Sequence, residues 1–301
     1  MTAWFADVSR IDSASQTFTV NLFLLLKWKD PSLAHPGTEL KSYALNEIWY
    51  PHYIVSNASG DLRNTLPETV DVAPDGQASF RQMFVGSFNQ PLDLHRFPFD
   101  IETFTANFAI LGSRPDEVAL IPDPTSIAKR LPGAVGKNEP LTIPDWIVTG
   151  VGAEAVPYRL LPGTELAGYS VFFSASRRHQ HYILKVLLPL LLIVCMAFSV
   201  FWIDPTLGAS QISVAVTSML TLIAYRFAIG ADTPKLPYLT LMDAFILLGT
   251  LMVFFSLVEV MITTRLALTD RVLLARAIDR KCRLVFPALL LATSAGLYLF
   301  W

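Results

Sequence analysis

Four apolar runs in the second half of the chain decide what it can become. They cover about residues 182–203, 206–228, 238–262 and 284–301, each near the length a helix needs to cross a hydrocarbon layer. Lys185 lies close enough to one end of the first run to reach an interface. Asp243 and Glu259 in the third are expected near its ends or against other helices rather than facing lipid. A mean hydropathy of +0.45 and 52% hydrophobic residues agree with membrane spans. Residues 1–178 differ in character. They hold 19 acidic and 14 basic side chains, a net of −5, against 6 and 9, a net of +3, in residues 179–301. The chain therefore divides into a domain 1–178 and a membrane domain 179–301.

The first domain reads as β structure. From Thr17 to Trp28, Phe18, Val20, Leu22, Leu24, Leu26 and Trp28 alternate with other residues, the period of a strand with one buried face. Further short runs at Ser79–Phe88, Ile101–Ile110, Trp146–Val151 and Tyr169–Ala175 are separated by turn clusters such as Ala73-Pro74-Asp75-Gly76 and Leu131-Pro132-Gly133. This spacing predicts an immunoglobulin-like β-sandwich followed by a four-helix transmembrane bundle. Cys195 and Cys282 both fall in the apolar half, so no disulfide framework holds the sandwich. The start, MTAWFADVSR, has no charged-then-apolar leader, which reads as a mature chain or one whose leader has been removed.

The second run, Leu207–Phe227, is unusual for a span because Ser210, Gln211, Ser213, Thr217, Ser218 and Thr221 interrupt it. At about 100° per residue, Ser213, Thr217, Leu220, Ala224 and Phe227 share one narrow stripe, hydroxylated at first and then apolar. Such a stripe suits a water-filled path that is sometimes closed; helix packing through small residues is the competing explanation. One stripe encloses no water, so a pore requires a symmetric ring of copies.

Residues 263–283 hold six basic residues, Arg265, Arg271, Arg276, Arg280, Lys281 and Arg283, against Asp270 and Asp279. By the positive-inside rule this segment is cytoplasmic, which puts the sandwich and both termini outside. The stripe then begins at the cytoplasmic side and rises about 21 Å from Ser213 to Phe227 at 1.5 Å per residue.

At His95–Phe104, HRFPFDIETF, the chain resembles the pentameric ligand-gated ion channels, in the bacterial branch of the Cys-loop receptor superfamily. The resemblance extends through Phe97-Pro98-Phe99-Asp100, Pro189, Phe201-Trp202, the Pro234-Lys235-Leu236-Pro237-Tyr238 loop and Arg283-Leu284-Val285-Phe286-Pro287. Gln90 and Phe104 stand where animal relatives carry the loop cysteines, a departure shared by bacterial members. The resemblance implies a homopentamer with Ser213, Thr217, Leu220, Ala224 and Phe227 facing the lumen, and with rings of Leu220 and Phe227 able to gate by dewetting. It also places Pro98, Asp100, Arg177 and Pro237 at the junction that couples the sandwich to the spans. Without it, Asp100 and Arg177 would read as separate solvated charges.

Amine-gated relatives hold an ammonium in an aromatic and acidic box between subunits. The matching positions here are Ile54, Ala109, Leu111 and Leu166, while Phe23 and Tyr158 remain aromatic and Arg81 faces the same site. Ammonium binding is disfavoured, leaving another small-molecule agonist, an anionic one included, or none at this place. Protons are the competing stimulus, with His95, His179 and His181 in segments that converge on the junction. A net −5 domain, Asp232 near the outer mouth, and Gly208-Ala209-Ser210 where anion channels carry Pro-Ala-Arg favour monovalent cations as the permeating ions. Arg226 and the inward-facing helix N-terminus argue the other way.

The alternative is a nonconducting membrane receptor. An enzyme is disfavoured: GxSxG, HExxH, Cys/His metal clusters and GxxxxGK[ST] are absent from the sequence, and the Asp100/Glu102 pair lacks partner residues nearby. No cofactor, metal site or nucleic-acid partner is expected, since the basic cluster is small and lies at the membrane, against lipid. Asn57-Ala58-Ser59 matches a glycosylation sequon by a pattern common by chance.

Overall fold

A computed structural model describes residues 1–112, 116–121, 143, 145–161, 164–230 and 236–300. The chain forms two compact units. One comprises Met1–Leu92 and Ile101–Arg177, the other Asp93–Asp100 and Arg178–Trp301.

In the first unit, strands β1 (Thr2–Asp12), β2 (Thr17–Lys29), β3 (Lys41–Ala44), β5 (Arg63–Asn64), β6 (Thr69–Val72) and β7 (Gln77–Asn89) make a six-stranded sheet. Its path is β1-β2-β7-β6-β3, with β5 paired to β7. Strands β4 (Tyr53–Val55), β8 (Ile101–Ile110), β12 (Gly168–Arg177) and β9 (Trp146–Glu154) make a second sheet in that order, and β10 (Tyr158–Leu161) pairs with β11 (Thr164–Leu166) in a separate hairpin. The alternation read in β2 is the alternation observed: Phe18, Val20, Leu22 and Leu24 are fully buried and Leu26 nearly so. Trp28 is the exception, half-buried at the end of the strand.

The sheets meet through aromatic rings. Phe18 of β2 lies 5.4 Å from Phe104 of β8 and 6.0 Å from Phe173 of β12, and Phe5 of β1 lies 4.9 Å from Phe173. Each fully buried ring contributes about 1.5–3 kcal/mol of transfer energy, so this cluster is what stands in for a disulfide. Asn57 is tied into the sandwich. Its amide donates to the carbonyls of Asn89 (3.1 Å) and Thr105 (2.7 Å), and its Oδ1 accepts the Asn107 N–H (3.0 Å). The sequon match is thus a structural asparagine.

Among the described residues the second unit contains four membrane-length helices: α1 (Gln180–Trp202), α2 (Pro205–Ile229), α3 (Leu241–Leu268) and α4 (Val272–Phe300). All four are long and apolar enough to cross a membrane. In α1 the turn Ile183–Leu187 is wide, just ahead of Pro189, whose missing N–H breaks the regular ladder. The Val186 carbonyl there accepts the Tyr225 hydroxyl of α2.

The third and fourth helices extend beyond the apolar runs into residues 263–283, which also read as polar and helical in pattern. The third helix runs on to Leu268 and the fourth begins at Val272, so the basic segment 263–283 is no separate element. It is the continuation of two helices around a turn that includes Asp270, at φ 60°. Pro287, which bends or starts the fourth apolar run on the sequence reading, lies inside α4. A charged helix end carries no apolar periodicity, so an apolar criterion stops where the hydrocarbon stops, not where the helix does.

Candidate functional site

Helix α2 begins at a built cap. Asp204 accepts the Thr206 N–H (3.0 Å) and hydroxyl (2.8 Å), and takes Arg276 Nε of α4 at 2.9 Å. Hydrogen bonds from the Thr206 backbone and hydroxyl, with Arg276 beside it, hold the Asp204 carboxyl below the usual range. From there two faces separate. Gly208, Gln211, Ala215, Ser218 and Leu222 are buried within the unit. Ser213, Thr217, Leu220, Ala224 and Phe227 all lie on the opposite, exposed side, Leu220 at 61% and Phe227 at 81%. The hydroxyls of Thr217 and Thr221 donate to the carbonyls four residues back, at 2.7 and 2.8 Å. Each is thereby satisfied as a donor and still offers lone pairs outward.

Gln211 is a residue the stripe did not single out. Its amide donates to the carbonyls of Ile203 (2.9 Å) and Val200 (3.2 Å), closing the turn between α1 and α2, and lies 3.4 Å from Asp279 of α4. Its polarity in an apolar run was the signal.

The FPFD segment is where backbone chemistry decides placement. Residues Asp93–Asp100 belong to the helical unit, and their carbonyls hold the start of α3. The His95 carbonyl accepts the Leu241 N–H at 2.7 Å and the Phe97 carbonyl accepts the Met242 N–H at 3.2 Å. Thr240 and Asp243 complete a capping box, with the Asp243 N–H on Thr240 Oγ1 and the Thr240 N–H on Asp243 Oδ2. The donors that a helix start leaves unsatisfied are thus all taken. Tyr238 adds to the clamp: its hydroxyl accepts the Leu94 N–H at 3.2 Å and its ring stacks on His95 at 4.1 Å.

The remaining candidates fall as follows. Pro98 is buried and follows a cis peptide bond, and Asp100 is 4% exposed. Pro237 is exposed, just ahead of Tyr238. Arg177 ends β12 at 6% exposure, its guanidinium 4.1 Å from the Trp146 ring and donating to Ser13 Oγ at 3.1 Å. His95 Nδ1 lies 2.6 Å from Asp93 Oδ1, and this contact with the His95 ring, then the His95 backbone N–H, lowers the Asp93 carboxyl from its ordinary value. His179 packs 5.2 Å from Phe99, and His181 5.5 Å from Tyr182. All three histidines are exposed.

The ligand candidates are spread over different elements. Phe23 stacks on Trp4 at 4.1 Å on the outer side of the six-stranded sheet. Arg81 pairs with Asp71, and Tyr158 stands in the β10–β11 hairpin opposite Leu166. Ile54 lines a polar cavity of about 450 Å³ shared with Tyr53, His52, Asp61 and Glu68. Burial there raises the Tyr53 phenol well above its ordinary value. Asp232, Pro234 and Lys235 lie outside the described residues.

The amino-terminal half matches the neurotransmitter-gated ion-channel ligand binding domain over residues 1–149. The chain is 28% identical over 297 residues to the proton-gated ion channel of Gloeobacter violaceus, covering 97% of this chain and 80% of that one. It is 25% identical over 266 residues to the human gamma-aminobutyric acid receptor subunit rho-3 and 26% identical over 270 residues to the rat glycine receptor subunit beta. These alignments take in 84% and 83% of this chain but 55% and 51% of the receptor subunits, about half their length. A β-sandwich joined to four membrane-length helices, with these relatives, defines a multi-pass ligand-gated ion channel subunit. Residues 1–149 thus match the ligand binding domain of neurotransmitter-gated channels, the whole chain is similar to ligand-gated ion channel subunits, and Gln90 and Phe104 stand where animal relatives carry the loop cysteines.

Proposed function

We propose that five copies of this chain surround a cation-conducting pore lined by Ser213, Thr217, Leu220, Ala224 and Phe227 of α2, with hydrophobic gates at Leu220 and Phe227. The observation that carries this reading is the division of α2. Its hydroxylated and apolar stripe is uncovered within the subunit, while the opposite face packs against the other helices. Leucine and phenylalanine collars close such a path without filling it, because a narrow apolar ring removes an ion's water and returns nothing. A net −5 on residues 1–178 and Ser210, in place of a basic residue at the start of the helix, favour cations.

Protons are the stimulus this reading selects. The Gloeobacter relative is a proton-gated channel, and most positions of the amine box are aliphatic here: Ile54, Ala109, Leu111 and Leu166. His95 stands on the segment whose carbonyls hold α3, beside Asp93 and against Tyr238. A charge arriving on that ring acts on a loop that grips a helix end. Asp100, Arg177 and Pro237 belong to the same coupling region, and the sandwich faces the outside of a bacterial inner membrane with residues 263–283 in the cytoplasm. Phe23, Arg81 and Tyr158 are kept as the place for a small-molecule modulator.

The test is to express the chain in oocytes and step external pH from 8 to 4 while exchanging sodium for a large organic cation. Acid-evoked current that follows the sodium gradient supports the reading. Silence at every pH, with Leu220→Ser silent as well, would mean a nonconducting receptor.

A further inference from the structure

The polar cavity of about 450 Å³ in the β-sandwich takes no part in the pore or the junction. Its floor is aromatic. Tyr53 of β4 lies 5.9 Å from Phe80 and 5.8 Å from Phe84 of β7, and Tyr50 lies 6.1 Å from Phe80. The two phenylalanines sit on the inward face of β7, 1% and 3% exposed, whereas both tyrosines are half-buried and keep part of their rings toward the cavity.

The rim, residues 58–68, is held in place by β7. The Ser59 N–H donates to the Ser87 carbonyl at 2.8 Å and the Thr65 N–H to the Met83 carbonyl at 2.9 Å. Gln82, fully buried, accepts the Leu66 N–H at 3.0 Å and donates to the Leu66 carbonyl at 3.2 Å. Leu62 lies against Gly86, where any side chain would collide with it. A rim tied at several points is formed before anything enters, which lowers the ordering cost of binding.

That rim carries charge of one sign. Asp61 and Glu68 line the cavity, and no lysine or arginine does among the described residues. Arg63 points its strand position to Val85 of β7 and is exposed, outside the lining. Glu68 Oε1 accepts the Asn64 amide at 2.7 Å, a neutral donor that leaves the charge uncancelled. Burial first, then Tyr50 and the Glu68 carboxylate, raise the Tyr53 phenol, so the ring beside the acids stays neutral. His52 is the one lining side chain able to become positive, and it packs 4.3 Å from Tyr50. Among the described residues no group of three metal-ligating side chains occurs, which disfavours a metal ion. Aromatic rings beside uncompensated carboxylates, in a concave site that concentrates their field, select an organic cation.

We propose that this cavity is a binding site for a small alkylammonium cation, its charge facing Asp61 and Glu68 and its alkyl part on Tyr50 and Tyr53. Of the amine-box positions only Ile54 lines it, and Phe23, Arg81 and Tyr158 do not, so it is a separate place within one subunit. The site is independent of which ion permeates and of what opens the pore.

The test is calorimetric titration of the purified full-length chain in lipid nanodiscs, with empty nanodiscs as the blank. It is run at pH 8, above the ordinary titration range of a histidine. The probes are choline and 3,3-dimethylbutan-1-ol, its uncharged isostere. Choline should bind about tenfold more tightly than the alcohol. Asp61→Asn with Glu68→Gln, both at exposed positions, should weaken choline about tenfold and leave the alcohol unchanged, since glutamine still accepts the Asn64 amide. Tyr53→Leu should weaken choline and Tyr53→Phe should restore it, because the ring face and not the hydroxyl holds the cation. Equal affinity for the two probes would overturn the assignment. So would a double variant that binds choline like the parent, which would place choline elsewhere on the chain, and so would the absence of any choline binding.

Discussion

Thr240→Val isolates the hydroxyl at the start of α3. The side chain is 3% exposed, so valine keeps its volume and removes only polarity. Two bonds go with it: the Asp243 N–H loses its acceptor at 3.2 Å, and Asp243 Oδ2 loses a donor at 2.7 Å. The first is an N-cap loss of about 1 kcal/mol. The second takes one of two donors from a part-buried carboxylate, about 1–2 kcal/mol. Leu241 and Met242 stay held by the carbonyls of His95 and Phe97, so the helix start is weakened rather than released. A sum of about 2–3 kcal/mol should lower the unfolding midpoint by roughly 3–5 °C for a chain of 301 residues, read by intrinsic fluorescence on the purified chain. Thr240→Ser restores the hydroxyl and should stay within about 0.5 kcal/mol of the parent. A valine variant that melts with the serine variant would refute the reasoning, since the loop carbonyls alone would then suffice.

Other outcomes follow from the same geometry. Leu220→Ser should leave a leak current at neutral pH or shift activation toward neutral, and unchanged currents would remove Leu220 from the gate. Phe104→Ala, in the ring cluster between the sheets, should cost about 3–5 kcal/mol in denaturant unfolding. Asn57→Ala removes three hydrogen bonds to strand backbone and should cost about 2 kcal/mol, with no change in apparent mass to betray a lost glycan. Asp93 is held below its unfolded value of about 3.9 by His95. Its stabilising contribution is therefore present above pH 4 and is lost as pH falls through the lower folded value. Asp93→Asn should flatten that acid limb of a stability-against-pH curve, and a curve that keeps its slope would exclude the pair from it.

What was legible depended on which atoms carry the information. The face of β2 announced itself through Phe18, Val20, Leu22 and Leu24, because a strand's period is written in side chains. The α2 stripe was legible for the same reason, since Ser213 and Thr217 mark a helix face that the packed residues Ala215 and Leu222 do not share. The grip of Asp93–Asp100 on α3 was not, because the His95 and Phe97 groups that do it are carbonyls, common to every residue. Glu259 and Asp279 were visible as charges near apolar runs, but one helix cannot show that its carboxyl meets another's.

The bare stripe on α2 bears on how such a subunit survives its own synthesis. A single copy released into a bilayer would present Ser213 and Thr217 to hydrocarbon, and nothing within its own fold turns that face away. Insertion and assembly then cannot be separated into a stable monomer followed by leisurely association. On the proposed pore reading the unassembled subunit should be short-lived and open to membrane proteases, and the level of finished channel in a cell should rise more steeply than linearly with the rate at which the chain is made.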